Sequence, residues 1–171
     1  MDNKKVLIST KDIVLMGIML AVLEVSKFAL SFIAGVEVVT LLFILYTLFF
    51  GKKIFYMLPA FLIIEGIIGG FGIWWFMYVY IWAILVFITY LCRKHESMWF
   101  WSIICGLFGL LFGTLCCPVY FVTFGTQTAI SWWIAGIPTD IIHGVSNFIL
   151  CMILFKPLKK VLDRIKVNVY G

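Results

Sequence analysis

The stretch VVTLLFILYTLFFGKKIFYMLPAFLIIEGIIGGFGI, residues 38 to 73, decides the fold class, because two apolar runs, Val38 to Phe50 and Ile54 to Ile73, meet there at Lys52 and Lys53. Neither run alternates with polar residues in a way that would give a helix a wet face, so both read as membrane-crossing helices. The first run is short for a full span. A tilted span, one extended into the preceding SFIAG, or a partly re-entrant segment would each accommodate it.

Working outward, the same hydropathy gives four more segments: Ile13 to Ile33, Phe76 to Cys92, Met98 to Phe124 and Pro138 to Phe155. Hydrophobic residues make up 64% of the chain and charged residues 12%, against about 45–50% and about 25% in a soluble domain. A chain of 171 residues holds about six spans of about 20 residues with short loops. The expected fold is therefore an all-α integral membrane protein, a compact bundle of six transmembrane helices formed by one domain over residues 1–171. Ser9 and Asp12 carry the spacing of a capping box at the start of the first helix. Pro138, followed by Thr139 and Asp140, suits the first turn of the last helix, where a missing N–H costs nothing. The apolar stretch after MDNKKVLISTKD is too long for a cleavable signal, and no small-residue cleavage site closes it, so the first helix is expected to stay in the mature protein.

Lys and Arg set the orientation. Lys4, Lys5 and Lys11 precede the first span, Lys52 and Lys53 follow the second, Arg93 and Lys94 follow the fourth, and Lys156, Lys159, Lys160, Arg164 and Lys166 follow the sixth. With six crossings these all fall on one side, and the other three connections hold no Lys or Arg. The positive-inside rule then makes both termini cytoplasmic. The net charge of +5 reports this topology, with a contribution from anionic lipid at the tail; nothing supports binding to nucleic acid.

One basic residue escapes the rule. Lys27 lies inside the first span, three residues after Glu24, so the two are placed to pair on one helix face. Glu65, Asp140, His143 and Asn147 also lie within or beside apolar sequence. At about 1.5 Å per residue across a core of about 30 Å, Glu24 and Glu65 sit about 16 Å from the cytoplasmic side and Lys27 about 21 Å. Counted from the outer side, Asp140, His143 and Asn147 sit about 3, 7 and 13 Å deep. A charge near the bilayer centre costs at least about 2.5 kcal/mol, so these groups need partners or a wet cavity. Two readings follow: a ligand pocket open to the outside, or self-satisfied pairs of Glu24 with Lys27 and Asp140 with His143. Glu65 and outward-facing Glu37, with no evident basic partners, favour the pocket, and a surplus of acids suits a ligand with positive or donating groups.

Aromatic residues gather at the same level. FGIWWFMYVYIW places Trp74, Trp75, Tyr78, Tyr80 and Trp82 around the third outer connection, and SWWIAG sets Trp132 and Trp133 before Asp140. An interfacial belt accounts for part of this set; the rest suits stacking on a planar or cationic ligand. The candidate ligand-binding residues are thus Glu24, Lys27, Glu65, Trp74, Trp75, Tyr78, Trp132, Asp140, His143 and Asn147. Gly66, Gly69, Gly70 and Gly72 permit close helix approach or a bent outer end beside Glu65. Small residues spaced by four, Cys105, Gly109 and Gly113, read as packing inside the bundle, whereas Gly17 and Ala21 in the first span offer a docking face for another membrane subunit.

Six short helices, cytoplasmic termini, GIMLA at 17–21 and GIPTDIIHGVSNFIL at 136–150, followed by the basic KPLKKVLDRIK, together resemble the substrate-binding S component of energy-coupling factor (ECF) vitamin transporters. The resemblance covers the whole chain in architecture, with Gly17 standing where that family usually has the first Ala of an Ala-xxx-Ala motif. It implies a subunit in a prokaryotic plasma membrane that captures a vitamin or related metabolite outside and works with a membrane coupling protein and two cytoplasmic ATPases. It further implies that the subunit topples to release its cargo, with Gly17 and Ala21 meeting the coupling protein. The chain has no Walker A pattern, as expected of a subunit driven by others, and no cofactor is implied.

Other classes stay open. A stand-alone small transporter or channel, or a structural membrane subunit, is the main rival, although no internal repeat is evident. An intramembrane enzyme would have only Asp140 and His143 to work with, since H-E-x-x-H, G-x-S-x-G and paired-aspartate motifs are absent. His95 and His143 do not suit a haem site. Five cysteines with no CxxC indicate neither a disulfide framework nor a metal site.

Overall fold

The computed structural model describes residues 8–171; Lys4 and Lys5, used above for orientation, lie outside them. The described residues form helices and no strand: α1 (Thr10–Leu30), α2 (Val39–Phe50), α3 (Ile54–Gly69), α4 (Ile73–Leu91), α5 (Met98–Leu110), α6 (Phe112–Phe124) and α7 (Thr126–Tyr170). Among the described residues, five helical stretches are long and apolar enough to cross a membrane: α1, Val39–Gly69, α4, Met98–Phe124 and α7. The stretch Val39–Gly69 covers most of both runs quoted first, and Ile73 opens α4 instead. Between them Gly51 takes φ +57° and a 3-10 turn covers Gly51–Lys53, a conformation in which a residue with a Cβ would be strained.

α2 is the centre of the bundle. Every residue in it except Leu48 is buried, which explains why it reads as apolar on all faces. Its polar groups are satisfied internally: Thr47 donates to the Phe43 carbonyl at 2.6 Å and Tyr46 to the Met19 carbonyl at 3.0 Å. Lipid tails are as apolar as leucine, so cohesion between such helices comes from tight packing and hydrogen bonds more than from hydrophobic burial.

Tight packing is most evident between α5 and α7. A Cβ added at Gly109 would lie 2.8 Å from the His143 carbonyl carbon and oxygen, and one at Gly144 would lie 2.4 Å from Leu110 Cγ. The expectation that Cys105, Gly109 and Gly113 pack inside the bundle matches this contact, with Gly144 as the facing small residue.

Two helix boundaries differ from expectation. Pro138 does not open the last helix; α7 begins at Thr126 and continues through both Pro138 and Pro157. Gly125, at φ +82°, supplies the turn that separates α6 from α7, so the start signal is a glycine and not the proline. A helix of 45 residues runs about 68 Å at 1.5 Å per residue, well beyond a core of about 30 Å. The depths of Asp140, His143 and Asn147 counted from Pro138 therefore lose their starting point. The second difference is a break at Leu111, which divides the expected fifth segment into α5 and α6.

Apart from Lys27, the basic residues among the described residues collect at one end. The Ser9 capping box forms as expected, and its Asp12 also accepts from Lys53 at 2.7 Å and from the Tyr170 hydroxyl at 2.6 Å. Lys11 donates to the Val169 carbonyl, and Lys166 lies over the Phe49 ring. The start of α1, the turn between α2 and α3 and the end of α7 are thereby tied together.

The packing makes opposite demands on two glycines. Gly109→Ala is expected to destabilise the protein by about 1–3 kcal/mol through overpacking. Gly17→Ala, whose added Cβ would meet nothing within 4 Å, should leave stability unchanged or raise it by up to about 1 kcal/mol. Thermal unfolding of the purified protein in one detergent, followed by tryptophan fluorescence, compares the two.

Candidate ligand-binding site

At the end of the bundle opposite the basic cluster lies a cavity of about 670 Å³. It is bounded by the end of α1, the loop before α2, the first half of α4, and the facing parts of α6 and α7. Its construction begins with the loop at residues 31–38. Gly35 there has φ +75°, and a Cβ on it would lie 2.9 Å from Ile142 Cγ2, so glycine is needed for both backbone and space. Ser146 donates to the Gly35 carbonyl at 2.7 Å, which holds the loop against α7.

Glu37 is the main junction of this loop. Its carboxylate accepts from the Thr40 backbone N–H at 2.9 Å and from Asn147 Nδ2 at 2.7 Å, and it contacts His143 Nε2 at 3.1 Å. The Thr40 hydroxyl adds a further bond. The carboxylate thus satisfies a free N–H in the first turn of α2 while tying that turn to α7. Burial pushes the Glu37 carboxyl up, but the bonds from His143 and Thr40 outweigh it and hold the group below its ordinary value.

Asp140 has a different task. Gly113 lies in the first turn of α6, just past the break at Leu111, and its N–H donates to Asp140 Oδ1 at 3.2 Å. A carboxylate at a helix N-terminus is favoured by the free N–H groups there. A Cβ at Gly113 would lie 2.3 Å from Asp140 Oδ2, so only glycine permits this contact. The break in the helix and the acid on α7 therefore form one feature.

Neither of the ion pairs that formed the alternative to a pocket is present among the described residues. Lys27 pairs with Glu65 on α3, not with Glu24 on its own helix. His143 pairs with Glu37, not with Asp140. The two acids that lacked evident partners are thus the ones that take the bases. In both cases the helical neighbour loses to a residue on another element, because side chains facing the bundle interior meet across it. Glu24 is left with a buried oxygen, Oε1, that accepts no hydrogen bond among the described residues.

Of the ten candidate ligand-binding residues, Lys27, Trp74, Tyr78, Trp132, Asp140 and His143 line the cavity, while Glu24, Glu65, Trp75 and Asn147 do not. Glu65 lies behind Lys27 at 3% exposure. Asn147 lies behind Glu37, and the Trp75 indole N–H donates to the Leu62 carbonyl at 2.7 Å. Among the lining residues that the candidate set lacks are Glu37, Trp82, Phe112, Tyr120 and Thr139. For Trp82 a partial signal was available: positions 74, 78 and 82 repeat every four residues, but 75 and 82, seven apart, also share a face, so spacing does not single out Trp75. Tyr120 had none, since its place depends on the hairpin that α6 and α7 make at Gly125.

Two aromatic walls result. On α4, Trp74 packs edge-on against Tyr78 at 5.1 Å, and Tyr78 against Trp82 at 5.6 Å. Across the hairpin, Tyr120 and Trp132 stack at 4.1 Å with planes 20° apart. Comparisons with protein-family models, with curated proteins and with solved structures give no match to the chain.

The ion pair across α1 and α3 gives a measurable signature. Removing one partner strands a charge, so Lys27→Met and Glu65→Gln should each cost on the order of 2 kcal/mol, a value reduced for the partial exposure of Lys27. The double variant Lys27→Met with Glu65→Gln should cost less than the two single changes together. A double-mutant cycle from thermal unfolding measures the coupling, and additive losses would show that the pair is not coupled.

Proposed function

We propose that this protein is the substrate-binding S component of an ECF-type transporter, taking up a vitamin or related metabolite. The cavity carries the reading. Its volume of about 670 Å³ is that of a small-molecule site, typically about 300–1,000 Å³, and its wall combines apolar and aromatic side chains with a few polar groups, as such sites do.

Three further observations support it. The cavity lies at the end away from the basic connections, which under the positive-inside rule is the outer side of the membrane, with both termini cytoplasmic and α2 and α3 counted as separate crossings in a six-span bundle. Gly17 and Ala21 are exposed on α1, on a face shared with Ile13, Ile18 and Val22, which are 61%, 57% and 50% exposed. This face suits a membrane coupling protein, with two ATPases beneath it supplying the energy that a chain without a Walker A pattern does not. The membrane concerned is the plasma membrane of a prokaryote.

The reading separates binding from transport. The chain purified without partners should bind a small metabolite, seen as tryptophan quenching and as a compound released on denaturation and identified by mass spectrometry. Gly17→Trp or Ala21→Trp should abolish uptake by cells while binding by the purified variant stays within about twofold, because the outward face is remote from the cavity. Loss of binding in these variants would assign the pair to internal packing, and a purified chain that binds no small molecule would exclude the S-component reading.

A further inference from the structure

The polar groups of the cavity wall are not equivalent, and their inventory narrows what fits. Lys27, its one Lys or Arg, is already paired with Glu65. Glu37 is occupied by Thr40, His143 and Asn147. Beside the hydroxyls of Tyr78, Tyr120 and Thr139 and His143 Nδ1, which form no hydrogen bond among the described residues, two groups with unused capacity bear most on the choice of ligand. Asp140 accepts from the Gly113 N–H through Oδ1 only, and among the described residues nothing donates to its Oδ2. Trp82, which forms part of the wall at 3% exposure, has a buried indole N–H with no acceptor among the described residues.

A buried donor without an acceptor costs about 1–3 kcal/mol; the Trp82 N–H is closed off from the space in the unliganded chain, and a small shift of its ring on binding would let a ligand acceptor satisfy it. A half-used carboxylate in an apolar wall calls for a donor or a positive charge. The wall repels anions, since Glu37 and Asp140 face the space and its one ammonium is spoken for. The faces of Tyr78, Trp82, Tyr120 and Trp132 favour a flat ring over an aliphatic chain of equal volume.

Accepting the reading of the chain as a binding subunit, we propose that the cavity takes a planar nitrogen heterocycle. Its amino or ring N–H edge, neutral or protonated, donates to Asp140, a ring acceptor atom meets the Trp82 indole N–H, and the ring lies between the two aromatic walls. Carboxylates and phosphates are excluded, as are saturated amines of the same size.

Three probes separate these features: 4-aminopyrimidine, pyrimidine-4-carboxylate and cyclohexylamine, with affinities for the purified full chain compared by saturation-transfer NMR and equilibrium dialysis. The aminopyrimidine should bind at least about tenfold more tightly than either of the others. Asp140→Asn keeps an oxygen for Gly113 while removing the charge, and should weaken aminopyrimidine binding about tenfold or more; Trp82→Phe keeps the packing and should weaken it about two- to tenfold. Material released from the freshly purified protein should contain an aromatic nitrogen heterocycle. Preference for the carboxylate or the saturated amine, release of an aliphatic or acidic compound, or indifference to both substitutions would overturn the proposed class and leave the binding-subunit reading standing. If none of the probes binds and no small molecule is released, both fall together.

Discussion

The approach of α5 to α7 through Gly106, Gly109 and Gly144 is the contact on which the rest of the site depends. With backbone against backbone, there is no room for even one methyl group at Gly109. In a bilayer this closeness is itself the source of cohesion, because lipid competes equally well for larger apolar side chains. It also fixes the register of α7, and that register determines which polar residues face the interior. Asp140 arrives at the broken end of α5 and α6, where Gly113 has a free N–H. One turn further, His143 and Asn147 meet Glu37.

Most of the intramembrane charges are thereby held between helices. Lys27 with Glu65 joins α1 to α3, Glu37 joins the loop before α2 to α7, and Asp140 joins α7 to α6. These contacts serve structure and site together, since they shape the wall as they neutralise it. Breaking any one would leave an uncompensated charge in a poorly solvating medium. The choice between self-satisfied charges and a ligand pocket is therefore not a choice between exclusives. The pairs account for Glu65 and Glu37, and the cavity they frame accounts for the aromatic walls and for the unused capacity of Asp140 and Trp82.

The two ends of the molecule carry out different work through the same chemistry. At the basic end, Asp12 gathers Ser9, Lys53 and Tyr170 and so closes the bundle at both chain ends. At the other end the polar contacts tie the loop before α2 to α7 and α7 to α6, and the space is left open between α4 and the hairpin of α6 and α7.

Sequence by itself determined the apolar helices long enough to cross a membrane, the capping box at Ser9 and the small-residue packing of α5. These follow from local composition and from periodicity along one helix, which a single chain displays without knowledge of its neighbours. Tertiary structure alone decided the pairing. Lys27 chose Glu65 over Glu24, His143 chose Glu37 over Asp140, α7 ran through Pro138 to begin at Gly125, and Trp82 and Tyr120 entered the wall while Trp75 turned away. Each of those outcomes depends on which helix faces which and at what register. Side chains on different helices meet at distances that sequence separation does not encode, and in a medium that solvates charge poorly the strongest available partner prevails over the nearest one in the chain.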